Sequence, residues 1–195
     1  VDIRSLLLDT DNGLEYDGRT IGRRIGEAGA ACLWEPRRGD TIDTVVIHYT
    51  SAVGVSPETP YALGAILSVF CVYGVSSHYL IQRDGAVVRL VPEEQKAWHC
   101  GGSIMPPPDN RTGVNDFSIG IELASTVDAS FTDAQYAGLA ALCRDIERRR
   151  GSMRYVGHEH IAGNRAVALG LRSEPKEDPG RFFDWKRFAR ERTGG

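Results

Sequence analysis

The chain has 195 residues, 42% of them hydrophobic, which suits one compact domain with a real core. Its formal net charge is −3 and no basic patch dominates, which argues against nucleic acid as a partner. Cys32, Cys71, Cys100 and Cys143 are scattered without a CxxC pair, so a cysteine-based metal site is not expected and free, mostly buried thiols are.

Residues 1–40 have weak periodicity and many charges, and read as an N-terminal extension packed on a domain spanning 41–195. No signal-peptide pattern is legible there. Residues 44–49 cluster β-branched side chains in a short apolar run and read as a buried strand carrying His48. The longest apolar stretch, 61–75, is shorter than the roughly 20 residues of a membrane span. It reads as a buried helix, with Thr59-Pro60 as N-cap and first-turn proline. Residues 78–83 and 86–91 form a hairpin pattern joined by a two-residue turn, Asp84-Gly85. A strand is predicted over 118–123. Thr132 and Gln135 make a capping box for a helix whose apolar face is Tyr136, Leu139, Cys143 and Ile146. Arg148, Arg149 and Arg150 suit its C-terminal dipole, and Gly151 its stop. A short strand over 154–158 and a terminal helix over 184–192 capped by Asp184 follow. Strands and helices alternate irregularly around a hairpin, which predicts an α/β fold: a mixed central β-sheet flanked by helices.

Several residues on this scaffold can carry chemistry. His48 ends an apolar strand, where it is either a satisfied core histidine or a ligand at a crevice. His158 and His160 share a side if the chain is extended, so either could reach a metal. Asp178 and Lys176 stand in the same relation, the lysine being either a solvated loop charge or a partner for an oxyanion. Two imidazoles and a carboxylate suit zinc and leave a fourth position for water, but their positions alone are a weak signal. Glu122 alternates with Ile119, Ile121 and Leu123 and points away from their face, as a salt-bridged strand residue or as a general base. Trp98 and His99 line a cleft, or are a core tryptophan beside a surface histidine; Asn115 and Asp116 shape the approach to Glu122, and His78 is structural or lines the pocket.

Ordered blocks make the pattern specific: 74–81 (GVSSHYLI) with Arg83-Asp84-Gly85, 96–99 (KAWH), 115–123 (NDFSIGIEL), 131–136 (FTDAQY), Gly157-His158 with Ile161-Ala162, and 176–180 (KEDPG) with Phe183-Asp184-Trp185. Together they resemble the zinc-dependent N-acetylmuramoyl-L-alanine amidases, which share a fold with peptidoglycan recognition proteins. The resemblance is greatest to the AmpD-type branch that cleaves anhydromuramoyl peptides in cell-wall recycling. It implies a zinc amidase fold and a Zn2+ cofactor held by His48, His158 and Asp178. It also implies Glu122 as general base, with Tyr49 and Tyr79 as fallbacks, and Lys176 as oxyanion partner. Tyr49, Trp98, His99, Asn115 and His160 are the expected substrate contacts, and peptidoglycan fragments the expected partners. A monomer is expected, in the cytoplasm for the recycling branch and exported for a wall-lytic one.

Two features depart from the family pattern. Residues 163–174 lengthen the segment between His158 and Asp178, so Arg165 and Arg172 could cover or reshape the site. Pro175 stands where an arginine is common, which weakens one expected substrate contact. A peptidoglycan-binding module without catalysis would mark itself by losing a ligand, and all three are present. A Cys–His peptidase built on Cys100 or Cys143 is disfavoured, because adjacent His99 and Cys100 side chains diverge in a strand.

Overall fold

The computed structural model describes residues 1–8, 14–16, 19–21 and 33–194, so Cys32 lies outside the described residues. In chain order the strands are β1 (Ile3–Ser5), β2 (Leu14–Tyr16), β3 (Arg19–Ile21), β4 (Trp34–Pro36) and β5 (Thr44–Thr50), then helix α1 (Leu63–Tyr73). There follow β6 (Tyr79–Ile81), β7 (Val87–Arg89), β8 (Gln95–Ala97), β9 (Ser118–Ala124) and helix α2 (Asp133–Arg150). The chain closes with β10 (Arg154–Gly157) and helices α3 (His158–Ala162), α4 (Asn164–Ala168) and α5 (Trp185–Thr193). Six strands form one mixed sheet in the order β1-β7-β6-β9-β5-β10; β2–β3 and β4–β8 make separate ribbons.

The sheet sorts its side chains by alternation. Val45, Ile47, Ile119, Ile121 and Leu123 face the layer of α2 and α5, meeting Tyr136, Leu139, Cys143, Ile146 and Phe188. The opposite face packs Leu80 and Val88 under α1 through Leu63, Ile66, Leu67 and Phe70. β5, β9 and β10 run parallel, so their carboxyl ends open on one edge of the sheet. Helix α2 has the expected capping box: Thr132 Oγ1 accepts from Gln135 N–H at 3.0 Å, and Gln135 Oε1 accepts from Thr132 N–H at 3.1 Å. The Asp184 side chain likewise accepts from Arg187 N–H. Cys71, Cys100 and Cys143 are free and buried. Among the described residues no helix is long and apolar enough to cross a membrane.

In the N-terminal segment β1 pairs with β7 as an edge of the main sheet, and Leu8 and Leu33 are buried in the core. Three expectations are corrected. Helix α1 begins at Leu63 with Ala62 in the cap position; Thr59 and Pro60 lie in the preceding turn, where Ala62 N–H donates to Thr59 O at 3.0 Å. The β6–β7 hairpin closes through three residues rather than two. Gly85 N–H donates to Gln82 O, Gln82 N–H donates to Ala86 O, and Gly85 takes a left-handed φ of 85° that a side chain would strain. Finally, His158 is the first residue of α3 rather than the last of a strand, so it and His160 project in different directions.

Candidate metal centre and active cleft

Neighbouring parallel strands deliver the central groups. His48 and Glu122 are register partners on β5 and β9, so their side chains leave the sheet side by side on the face opposite Ile47 and Ile121. β10, on the other side of β5, ends at Gly157 and hands the chain to His158. Asp178 arrives on a loop tied to α3 by two backbone hydrogen bonds: Glu159 N–H to Asp178 O at 2.8 Å, and Lys176 N–H to Ala162 O at 3.0 Å. One ligand atom from each of His48, His158 and Asp178 then lies within 4.8 Å of the others.

His48 Nδ1 is 2.9 Å from Asp178 Oδ2, and His158 Nδ1 is 3.1 Å from Oδ1 and 3.2 Å from Oδ2. Burial, and then the neighbouring His158, push His48 down to about 4, so its imidazole is neutral at pH 7. His158 Nε2 lies 3.3 Å from Cys100 O, which can only accept. A neutral His158 ring so placed carries its proton on Nε2 and turns the Nδ1 lone pair towards the carboxylate. Two acceptors facing each other call for a cation between them, and two imidazole nitrogens with one carboxylate oxygen make a donor set suited to zinc.

The triad opens into a cleft of about 530 Å3 whose lining includes His48, Tyr49, Trp98, His99, Glu122, His158, Lys176 and Asp178. Glu122 Oε2 is buried and has no hydrogen-bond partner among the described residues. Burial, reinforced by Asp178 and partly offset by Lys176, raises the carboxyl well above its ordinary value. Tyr49 stands at the junction with a second hollow of about 400 Å3, which also shares Lys176 and Glu177 and adds Glu159 and Arg181. Tyr79, the other tyrosine considered as a base, donates to Glu93 at 2.6 Å and does not line the cleft.

Two expected substrate contacts lie outside the cleft lining. Asn115 turns its Oδ1 to the backbone N–H groups of His99 and Cys100, at 3.3 and 3.1 Å, and so holds the loop that carries them. His160 Nδ1 accepts from Gly157 N–H at 2.8 Å and its ring packs 5.2 Å from Trp185, so it caps α3 from outside the cleft. The 163–174 segment does not cover the site. It forms α4, and Arg165 binds Met105 O at 2.7 Å and Asn110 Oδ1 at 2.5 Å; only its successor Pro175 reaches the cleft. His78 is fully buried, accepting from Gly120 N–H at 2.9 Å, and is a structural residue. The apolar wall of Val69, Phe70, Tyr73 and Val75 was not singled out in the sequence. Val72 and Tyr73 are exposed at the end of α1, whose Leu63, Ile66, Leu67, Phe70 and Cys71 are buried.

Comparison with known proteins bears on this geometry. The N-acetylmuramoyl-L-alanine amidase family matches residues 38–181. The 1,6-anhydro-N-acetylmuramyl-L-alanine amidase AmpD of Citrobacter freundii is 43% identical over 114 residues, 58% of this chain and 55% of the relative. The chain thus spans about half the length of the curated relatives it matches. A crystal structure of a selenomethionine AmpD derivative superposes with a TM-score of 0.67 at 31% identity, covering 95% of this chain and 99% of that one. AmiD from Escherichia coli, solved with anhydro-N-acetylmuramic acid-L-Ala-D-γ-Glu-L-Lys as substrate, superposes with a TM-score of 0.60 at 30% identity, covering 93% and 66%.

Proposed function

The chain belongs to the N-acetylmuramoyl-L-alanine amidase family, and from that premise we propose that it hydrolyses the amide between the lactyl group of (anhydro)N-acetylmuramic acid and the L-alanine of the stem peptide. The observation that carries this reading is the register of β5 and β9, which sets Glu122, its Oε2 buried without a hydrogen-bond partner among the described residues, beside His48 of the His48–His158–Asp178 triad. A Zn2+ ion bound by those three residues would supply Lewis acidity, polarising the scissile carbonyl and acidifying water. Glu122 takes the proton of the attacking water and returns it to the departing L-alanine nitrogen. Its burial and raised pKa make the carboxylate a stronger proton acceptor than an exposed glutamate. Lys176, at the mouth, presents an ammonium to the oxyanion that develops on the lactyl oxygen. The wall of Phe70, Tyr73, Val75 and Trp98 offers apolar surface to the sugar ring, and the mixed-charge hollow beyond Tyr49 gives room to the stem peptide.

AmpD similarity and the anhydromuramoyl ligand of AmiD favour a soluble anhydromuropeptide as substrate, which supports a reaction in cytoplasmic recycling. The test is to assay protein of measured zinc content on anhydromuramoyl tripeptide and on intact sacculi, with and without chelator. Chelator-sensitive release of peptide from the first alone is expected, restored by added Zn2+. Release from both would move the reading to wall lysis. Zinc-free protein that binds muropeptide and cuts neither substrate would replace catalysis with recognition.

A further inference from the structure

His99 lines the cleft, yet it is 9% exposed and its polar contacts run inward, away from the cavity. His99 Nδ1 lies 3.0 Å from His48 Nε2, and His99 Nε2 lies 3.2 Å from Ser118 Oγ. Ser118 Oγ is in turn 2.7 Å from the carbonyl oxygen of Val114.

That carbonyl sets the direction of the whole chain. It can only accept, so the single hydroxyl proton of Ser118 goes to Val114. Ser118 Oγ must then accept from His99, which places the His99 proton on Nε2 and leaves Nδ1 as a lone pair. His99 Nδ1 must therefore accept as well, so the proton of neutral His48 sits on Nε2. At the far end His48 Nδ1 is left as a bare lone pair, 2.9 Å from Asp178 Oδ2, in the form a cation requires. His158 reaches the same form through Cys100 O.

The sheet is shaped to hold this relay. Ser118, Gly120 and Glu122 alternate on one face of β9. A Cβ on Gly120 would meet the His99 ring at 2.5 Å, so the ring occupies the space a side chain would fill. Asn115 Oδ1 pins the His99 backbone from the other side.

We infer that His99, backed by Ser118 and seated over Gly120, is a positioning residue that holds His48 in its Nε2–H tautomer and so sets the affinity of the metal centre. The inference rests on the zinc reading above and reassigns His99 from contacting substrate to orienting a ligand. Removing such an outer partner typically lowers metal affinity about 10- to 100-fold.

The test compares wild type with His99→Phe, which keeps bulk and removes the acceptor, and with His99→Asn, whose amide oxygen can take the place of Nδ1. Gly120→Ala displaces the ring without altering it. Zn2+ affinity is measured by competition with a chromogenic chelator, and the tautomer of His48 by imidazole 15N NMR of the zinc-free protein. The expected result is Nε2–H for His48 in wild type, Zn2+ binding weakened about 10- to 100-fold in His99→Phe and weakened in Gly120→Ala, and most of the affinity recovered in His99→Asn. Equal loss in His99→Phe and His99→Asn, or no loss in either, would overturn the relay. A wild-type His48 protonated on Nδ1 would do so even if every variant failed to fold. Wild type that binds no Zn2+ would overturn the metal reading together with it, whereas tight wild-type binding with unaffected variants would sink the relay alone.

Discussion

Replacing Glu122 by glutamine should cost activity and gain stability at once. Glutamine keeps the volume and removes only the ionisable oxygen. Proton transfer by a positioned side chain contributes typically 10²–10⁴-fold, or about 3–5 kcal/mol at roughly 1.4 kcal/mol per decade. Turnover of anhydromuramoyl peptide should fall by that factor while zinc content holds, because Glu122 is not a member of the ligand triad. The stability effect has the opposite sign. Burial first, and then Asp178, raise the Glu122 carboxyl above its ordinary 4.5, so the folded chain holds this proton more tightly than the unfolded chain does. Unfolding releases it, and the zinc-free wild type therefore loses stability as pH rises above 4.5 and through the folded-state value. The Glu122→Gln variant carries no such penalty. In chelator-treated protein the variant should melt above wild type at pH 8, with the gap closing as pH falls towards 4.5. The assays are steady-state turnover, zinc content and thermal melts at pH 5 and 8. A loss of activity under tenfold with full zinc would refute the proton-transfer role, and a variant that melts below wild type at pH 8 would refute the burial argument.

Lys176→Met should lower kcat by about 10²–10³-fold, the typical cost of losing one oxyanion donor, with zinc content unchanged. A change confined to KM would mean that the ammonium contacts substrate only in the ground state. Far from the cleft, Glu93 is buried among Tyr79, Arg149 and Arg150 at 2.5–2.8 Å. Burial alone would raise it, but the hydrogen bonds of Arg149, Tyr79 and Arg150 outweigh this and lower it from 4.5 to about 2. A depressed carboxylate stabilises the fold above its unfolded value and loses that contribution as pH falls from 4.5 towards 2. At 1.36 kcal/mol per pH unit, and discounted because Arg149 is 39% exposed, this is worth about 2–3 kcal/mol. Urea unfolding of wild type at pH 7, 4 and 3 should show the loss, and Glu93→Gln should flatten it. Parallel pH dependence in the two proteins would remove Glu93 as the cause.

The parts of this protein that its sequence determined are those governed by neighbours along the chain. β5 and β9 are legible because β-branched residues cluster there, and the alternation of Ile119, Ile121 and Leu123 alone sends Glu122 to the other face. Helix α2 is legible at both ends, because the Thr132–Gln135 capping box and Gly151 act within one turn. The triad is legible only through the blocks around it, since no local rule links His48 to a carboxylate 130 residues away. Tertiary structure decided the rest. The pairing of β1 with β7 draws into the sheet residues whose sequence reads as an extension, because an edge strand's partner is chosen by long-range contacts that a weakly periodic segment does not advertise. Docking of the Asp178 loop on α3 sets His158 against Asp178, with His160 out against Trp185. The line from Val114 through Ser118 and His99 to His48 exists only because the parallel pairing of β5 with β9 stacks segments far apart in the chain. Propensity acts over a few residues and specifies elements, whereas the orientation of a lone pair depends on an acceptor that only the assembled sheet brings within about 3 Å.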